Sequence, residues 1–375
     1  MCVLATGQTM QITGVTQYHA THEMDGAFHP TWIPGYAQGS HEAEVFEVET
    51  DAGITGVAAG PSLGGLRYEN QLEGFLAGED PHDMETILGK LDSFRLSGPR
   101  PWHVEMALWD IIGKDAGKPV HELFGGTADS IPVYASTGAV MDAEDRIDYI
   151  EEHVVGEGIQ AVKLRVTELE HIDIVRDVRA AFPDLTLMVD ANKGWAIRAA
   201  KPEVEWSYKD ALRFARQLEG LGDIGWLEEP LPRHQYDRYA ELRAATDVPI
   251  AGAEFNDGVG SLTEFVRQDA LDVMQADAAL ATGIKRAVDV AAMADANGVE
   301  FVPHTWTNGA GFAANLHVMA VAGSAWCEYP LEPPWDADVV SFFLDEPFTH
   351  ENGSVEPPTD PGLGITVDWD TVEDA

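Results

Sequence analysis

The residues that decide the fold lie between Leu185 and His304. Five short apolar runs recur there, each closing on a polar residue: Leu185-Thr-Leu-Met-Val-Asp190, Ile224-Gly-Trp-Leu-Glu228, Pro249-Ile-Ala-Gly-Ala-Glu254, Leu271-Asp-Val-Met-Gln-Ala-Asp277 and Val299-Glu-Phe-Val-Pro-His304. Segments of helical periodicity separate them, such as Ala211-Leu-Arg-Phe-Ala-Arg-Gln-Leu218 and Ala287-Val-Asp-Val-Ala-Ala-Met-Ala294. Apolar runs of this length alternating with amphipathic helices read as buried parallel strands. In such folds functional side chains gather at the carboxyl ends of the strands.

Working outward, Ile131-Pro-Val-Tyr-Ala135 and Ala161-Val-Lys-Leu-Arg165 precede this region, and Ala325-Trp-Cys-Glu328 follows it. Eight strand candidates with seven helical segments between them, over roughly 200 residues, favour a (β/α)7β barrel of the TIM type. Residues 127–330 are assigned to this barrel. Residues 1–126 read as a small α+β capping domain. Its hairpin has Glu44-Val-Phe-Glu-Val-Glu-Thr50 alternating around the Asp51-Ala-Gly53 turn, and its helix starts at Pro101 and stops at Gly117-Lys-Pro119. Between its first strand and that hairpin, residues 19–41 are expected to form an irregular, aromatic-rich lid. Residues 331–375, rich in Pro and acid, have too little periodicity for a domain and are expected to return to the cap.

With 375 residues and 45% apolar content the chain is long enough for a barrel with an added domain. Its charge is unusual: 64 acidic against 23 basic residues give −41, and only 8 of the bases are Lys. The acid is spread over the surface helices, as at Asp142, Glu144, Asp145, Glu151 and Glu152. That pattern suits a protein hydrated in molar salt, where screening suppresses self-repulsion. The expectation is a salt-adapted, cytoplasmic protein with neither nucleic acid nor membrane as partner. Cys2 and Cys327 are the only thiols, too few for a disulfide framework or a Cys-rich zinc site. Cys327 reads as a small core residue.

The strand ends carry the chemistry. Asp190, Glu228 and Glu254 close consecutive runs, and three converging carboxylates must take up protons or bind a cation. An all-oxygen set suits a hard ion, hence one Mg²⁺ per site. Lys163 and Arg165, two apart, share a face, where they pair with carboxylates or bind an anionic substrate and the oxyanion derived from it. Asp277 and His304 close neighbouring runs and are read as a carboxylate-oriented base.

These residues resemble the enolase superfamily, and within it the mandelate racemase group, over nearly the whole chain. Met106-Ala-Leu-Trp-Asp-Ile-Ile-Gly-Lys114 is similar to the helix preceding the barrel. Val189-Asp-Ala-Asn192, Leu227-Glu-Glu-Pro-Leu231 and Gly252-Ala-Glu254 are similar to the metal-ligand motifs, and Asp277 with His304 to the Asp/His dyad. The resemblance implies that Glu328 is the strand-eight acid bonding the substrate carboxylate. It implies that the 19–41 lid sets specificity through His22, His29, Trp32 and Tyr36, with a lid His the expected source of any second acid. Asn192 and Trp306 are further candidate substrate contacts. It also implies α-proton abstraction beside a carboxylate, giving an enediolate held by Mg²⁺, Lys163 and Glu328.

One departure bears on the reaction. The group usually has Lys-x-Lys on strand two, the second Lys serving as a base. This chain has Arg165 there, which is effectively never deprotonated. A single base at His304 points to dehydration of a sugar acid, an aldonate or aldarate, to a 2-keto-3-deoxy acid. Epimerase, racemase or cycloisomerase chemistry through the same enediolate is the alternative, and a non-catalytic metal-binding assembly protein the remote one. A homo-oligomer is expected, and residues between Trp195 and Tyr208 read as an insertion.

Overall fold

The computed structural model describes residues 10–62, 66–96, 98–195, 197 and 205–374. Cys2 and most of the insertion after Trp195 lie outside them.

The N-terminal sheet contains β1 (Ile12–Phe28), β2 (Gln38–Thr50) and β3 (Thr55–Pro61), antiparallel throughout. At the Asp51-Ala-Gly53 turn, Gly53 takes φ 75° and its N–H bonds the Thr50 carbonyl at 3.1 Å. The helix Trp102–Ala116 lies against this sheet and is buried along nearly its whole length. A Cβ on Gly56 of β3 would fall 2.0 Å from the Ala107 carbonyl oxygen, so only glycine permits this approach of strand to helix. Two acids on the helix tie its surroundings together. Asp110 accepts from the backbone N–H of Val57 at 2.9 Å and of Leu363 at 2.8 Å. Glu105 accepts from Ile284 N–H at 2.7 Å, Lys285 N–H at 3.0 Å and the Trp109 indole at 2.8 Å. The helix thereby joins the sheet, the C-terminal segment and the barrel.

The lid expected over 19–41 is in large part strand. β1 runs on to Phe28 and pairs with β2 at Glu23↔Ser40 and Phe28↔Gln38, across a register shift that contains Gly26 with φ 115°. A bulge lets a strand continue through residues that read as irregular in sequence. The connecting loop is 29–37. Met24 and Phe28 pack with Trp335, Val339 and Val340, which holds this end of the hairpin down.

The eight barrel strands are β4 (Ile131–Ser136), β5 (Ala161–Arg165), β6 (Thr186–Asp190), β7 (Ile224–Glu228), β8 (Ile250–Gly252), β9 (Val273–Met274), β10 (Glu300–Phe301) and β11 (Cys327–Pro330). They pair in parallel in the order β10-β9-β8-β7-β6-β5-β4-β11. Helical segments fill all seven connections, which makes the (β/α)7β barrel. Where β10 and β11 meet, side chains bridge the strands. Thr305 Oγ1 donates to the Glu328 carbonyl at 2.7 Å, Thr305 N–H to the Glu328 carboxylate at 2.8 Å, and Ser324 Oγ to the Phe301 carbonyl at 2.6 Å. Cys327 is buried. The C-terminal segment adds β12 (Ser354–Val355) beside β4, and β13 (Val372–Asp374) pairs with β1 in the N-terminal sheet.

Candidate active site

Strand parity brings the candidate residues together. Ala161, Lys163 and Arg165 share one face of β5, Met188 and Asp190 one face of β6, Trp226 and Glu228 one face of β7. Ala161, Met188 and Trp226 cluster with Tyr134, Ala251, Val273 and Val302 as the packed barrel interior. One or two pairs of residues further along each strand, carbon gives way to charge. Just beyond β6, β7 and β8 the backbone turns left-handed at Asn192, Glu229 and Ala253, with φ of 47°, 41° and 83°. For non-glycine residues this costs on the order of 1–3 kcal/mol each, and such strain collects at functional sites.

Lys163 is the hub. Its ammonium stands 2.6 Å from Glu328, 2.9 and 3.1 Å from the two oxygens of Glu228, and 3.7 Å from Asp190, fully buried. Burial alone would lower its pKa, but Glu228 and Glu328 hold it above the ordinary lysine value. Arg165 pairs with Asp190, donates to the Thr137 carbonyl at 2.5 Å, and lies over the rings of Trp32 and Trp306 at 5.4 and 5.5 Å. Glu228 also accepts from Gln275 at 2.8 Å and Trp226 at 3.0 Å. Burial and the Asp190 charge push its pKa up to about 7 against the pull of Lys163.

Glu254, Asp277 and His304 lie in loops two to three residues past β8, β9 and β10, not on the strands themselves. The strands are short, and the chain after β9 enters a five-residue π-helical turn, Ala278–Thr282, capped by the Asp277 side chain. His304 Nδ1 meets Asp277 at 2.9 Å. The other Asp277 oxygen accepts from Ala279 N–H at 2.7 Å and Asn315 at 3.0 Å, which fixes the carboxylate. His304 Nε2 lies 3.6 Å from Glu254, whose other oxygen accepts from Trp195 at 2.7 Å. Burial lowers the His304 pKa, but Glu254, Glu328 and Asp277 more than reverse that and hold it up at about 10.

A cleft of about 640 Å³ opens above this floor, and Arg165, Asn192, Glu254, His304 and Trp306 line it. Trp32 and Tyr36 of the expected lid line it too. His22 and His29 do not: the His22 ring packs on Phe342 at 5.8 Å, and His29 is exposed. His41, one strand over from His22, takes a place on the cleft. Burial, then repulsion from His22, lowers the His41 pKa to about 3, so it is neutral and not a ready acid. Glu328, expected to bond the substrate carboxylate, is not among the residues lining the cleft. It is fully buried behind Lys163, and its oxygens accept from Lys163, Ser136 and Thr305. Burial opposes its charge, yet Lys163 and His304 hold its pKa well below the usual carboxylate range.

Sequence reasoning missed several cleft residues: His41, Arg100, Trp195, Arg233, Asn308 and Trp335. Of these, Trp195, Arg233 and Asn308 follow the Val189–Asn192, Leu227–Leu231 and His304 features closely, and His41 closes the expected lid. On the cleft walls His41 Nε2, Trp306 Nε1, Thr307 Oγ1, Asn308 Nδ2 and Trp335 Nε1 are buried polar atoms without hydrogen-bond partners among the described residues.

Among the described residues no three acids are gathered closely enough to hold an ion. Like charges separate, and each turns to its own partner: Asp190 to Arg165, Glu228 to Lys163, Glu254 to Trp195. The donor set nevertheless fits a divalent cation. Asp190, Glu228, Glu229, Glu254, Asp277 and Glu328 are six buried carboxylates facing two permanent cations and one imidazolium. Both Glu229 oxygens are buried without partners among the described residues, and burial with the Glu254 charge raises its pKa well above normal. Even with Glu229 protonated and Arg233 acting on it from the cleft, the carboxylates outnumber the cations around them, a costly arrangement in a dry site.

Residues 24–125 match the mandelate racemase / muconate lactonizing enzyme N-terminal domain, and residues 145–371 the enolase C-terminal domain-like family. The chain is 30% identical to a D-galactarolactone cycloisomerase of Agrobacterium fabrum, over 97% of this chain and 98% of that one. It is 28% identical to an arabinonate dehydratase of Saccharolobus solfataricus, over 89% and 91%. The crystal structure of an enolase superfamily member from a Polaromonas species, 26% identical, superposes with a TM-score of 0.83 over 96% of each chain. By both its halves, then, the chain belongs to the enolase superfamily, in the group of the mandelate racemases and muconate lactonizing enzymes, whose curated relatives include acid-sugar dehydratases and a cycloisomerase.

Proposed function

We propose that this enzyme dehydrates a sugar acid, an aldonate or aldarate, to the 2-keto-3-deoxy acid. What carries the reading is the cleft beside His304, where a carboxylate-held imidazole sits next to the unpartnered polar atoms of His41, Trp306, Thr307, Asn308 and Trp335. Unpaired buried polar atoms are costly. A polyhydroxylated ligand is the chemistry that satisfies several of them at once.

Asp190, Glu228 and Glu254 are the residues that would hold Mg²⁺. When bound, such a cation supplies charge that polarises the substrate carboxylate, acidifies its α-carbon and offsets the Glu254 charge on His304. His304 Nε2 takes the α-proton, with Nδ1–H donated to Asp277 fixing the tautomer. The electron pair moves into the carboxylate as an enediolate, which Lys163 and Arg165 stabilise as nearby cations. Collapse of that charge expels the 3-hydroxyl, and the His304 imidazolium returns the proton to it, so water leaves. The enol product tautomerises to the keto acid. Arg165 offers no proton acceptor on strand β5, which leaves one base and favours elimination over two-base racemisation.

The test is 2-keto acid formation from a panel of aldonates and aldarates, in molar KCl with Mg²⁺, for wild type and His304→Ala. Turnover that the substitution reduces by 10³-fold or more and chelation abolishes supports the reading. The cycloisomerase relative favours a second reading, lactone isomerisation through the same proton abstraction. α-Proton exchange into deuterated solvent without keto acid would establish that one instead. Turnover indifferent to His304→Ala would sink both.

A further inference from the structure

We propose that Arg100 and Arg233 form a second anion site in the cleft, for a carboxylate at the far end of the substrate, so that the substrate is a sugar diacid rather than a monoacid. This rests on the sugar-acid reading above and narrows it.

The two arginines reach the cleft from different halves of the chain. Arg100 comes from the segment just ahead of the helix Trp102–Ala116, and Arg233 from the loop after β7. Both are held in place. Arg100 Nη1 donates to the Leu280 carbonyl at 2.8 Å, and its guanidinium lies over the Phe255 ring at 5.2 Å. Arg233 is fixed through its backbone: its N–H donates to the Gly194 carbonyl at 2.9 Å, and its carbonyl accepts from Asn256 at 3.2 Å.

Their positive charge is poorly compensated. Asp257 pairs closely with Arg95 at 2.5 Å and lies 3.9 Å from Arg100. Arg233 has no carboxylate within ion-pair distance among the described residues, and its Nε meets only the His234 ring at 3.3 Å. Burial disfavours the Arg100 charge, Asp257 favours it, and Arg233 and Arg95 disfavour it again, so the cations are close enough to repel. In a chain of 64 acids, two guanidiniums left short of carboxylates on one cleft are an arrangement that an arriving anion would complete. The reacting carboxylate has its own cations, since Arg165 and the buried Lys163 stand at the floor beside Asp190. Trp306, Asn308 and Trp335, whose polar atoms have no partner among the described residues, line the same cleft and are suited to hydroxyls. The cleft thus offers cations for two carboxylates and unpartnered polar atoms for hydroxyls, the complement of a sugar diacid.

Calorimetric titration in molar KCl with Mg²⁺ measures this site whether or not the ligand is turned over. The probes are a hexarate, the hexonate of matching configuration and the hexonate 6-phosphate, against wild type, Arg233→Gln, Arg100→Gln and Arg233→Lys. We expect the hexarate to bind wild type roughly 10- to 100-fold more tightly than the hexonate. Either Gln variant should bring that ratio close to one, and Arg233→Lys should restore part of it. Equal binding of hexarate and hexonate, a ratio unmoved in both Gln variants, or a preference for the phosphate would overturn the second carboxylate site. Keto acid assays on the same ligands report separately on dehydration: a hexarate that binds selectively but is never dehydrated sinks the reaction and not the site.

Discussion

His103 sits where acid should unfold this protein, and the effect can be worked out. It lies on the helix Trp102–Ala116, 3% exposed, with its ring 4.4 Å from that of Phe46 and its Nε2 3.0 Å from the Tyr68 hydroxyl. Burial raises the Tyr68 pKa, so Tyr68 keeps its proton and faces the imidazole as a neutral hydrogen-bonding partner. Burial also lowers the His103 pKa to about 3, against about 6.5 for an unfolded histidine. Between those values the unfolded chain binds more protons than the native one, so stability rises with pH. The contribution of neutral His103 is fully present above about pH 6.5 and is lost progressively as pH falls toward 3. Linkage puts the loss between pH 7 and pH 5 at roughly 2 kcal/mol. His103→Gln keeps a hydrogen-bonding side chain and removes the titration. Urea unfolding of both proteins in molar KCl at pH 7, 6 and 5 should show wild type losing roughly 2 kcal/mol more than the variant over that interval. Parallel pH profiles would refute the claim that this imidazole is held neutral by burial.

Glu105 predicts the opposite slope. Burial raises its pKa to about 7 although Ile284, Lys285 and Trp109 donate to it, so native Glu105 binds a proton that the unfolded chain releases near pH 4.5. Wild type should therefore lose roughly 2 to 3 kcal/mol between pH 5 and 8 that Glu105→Gln does not lose, and the same urea series reads it. For the surface charge, dialysis from molar to roughly 50 mM KCl lengthens the screening distance from about 3 Å to more than 10 Å. We expect loss of the far-ultraviolet circular dichroism signal, and retention of signal and activity at low salt would remove the case for salt adaptation.

The fold was legible because its signal is repetitive. Eight apolar runs and seven helical connections survive errors at any one of them, and every run overlaps its strand. The side of the strand was legible too. Parity places Lys163 and Arg165 beside Asp190 and Glu228 without any knowledge of loops. Errors fell where tertiary packing overrides local pattern. Gly26 looks like loop in sequence, yet it sits in a bulge that lets β1 continue to Phe28. That continuation carries His22 onto Phe342 and gives the cleft position to His41. Arg100 and Arg233 were invisible because no periodicity links a residue before a cap helix to one after a barrel strand; only closure of the two around one cleft does so.

The distribution of charge follows from the same division. The net charge of −41 repels an anionic substrate at long range, and molar salt would reduce that repulsion to contact distances. Selectivity must then come from cations that act within a few ångströms. Lys163 and Arg165 are committed to buried carboxylates, and by that commitment they keep the floor from becoming a bare cluster of acids. Arg100 and Arg233, held by carbonyls, a ring and backbone bonds rather than by close carboxylates, are the cleft cations with charge to spare for a second anionic group. If the protein works in molar salt, the surface repulsion is screened while the short-range cations of the cleft still act on a bound anion.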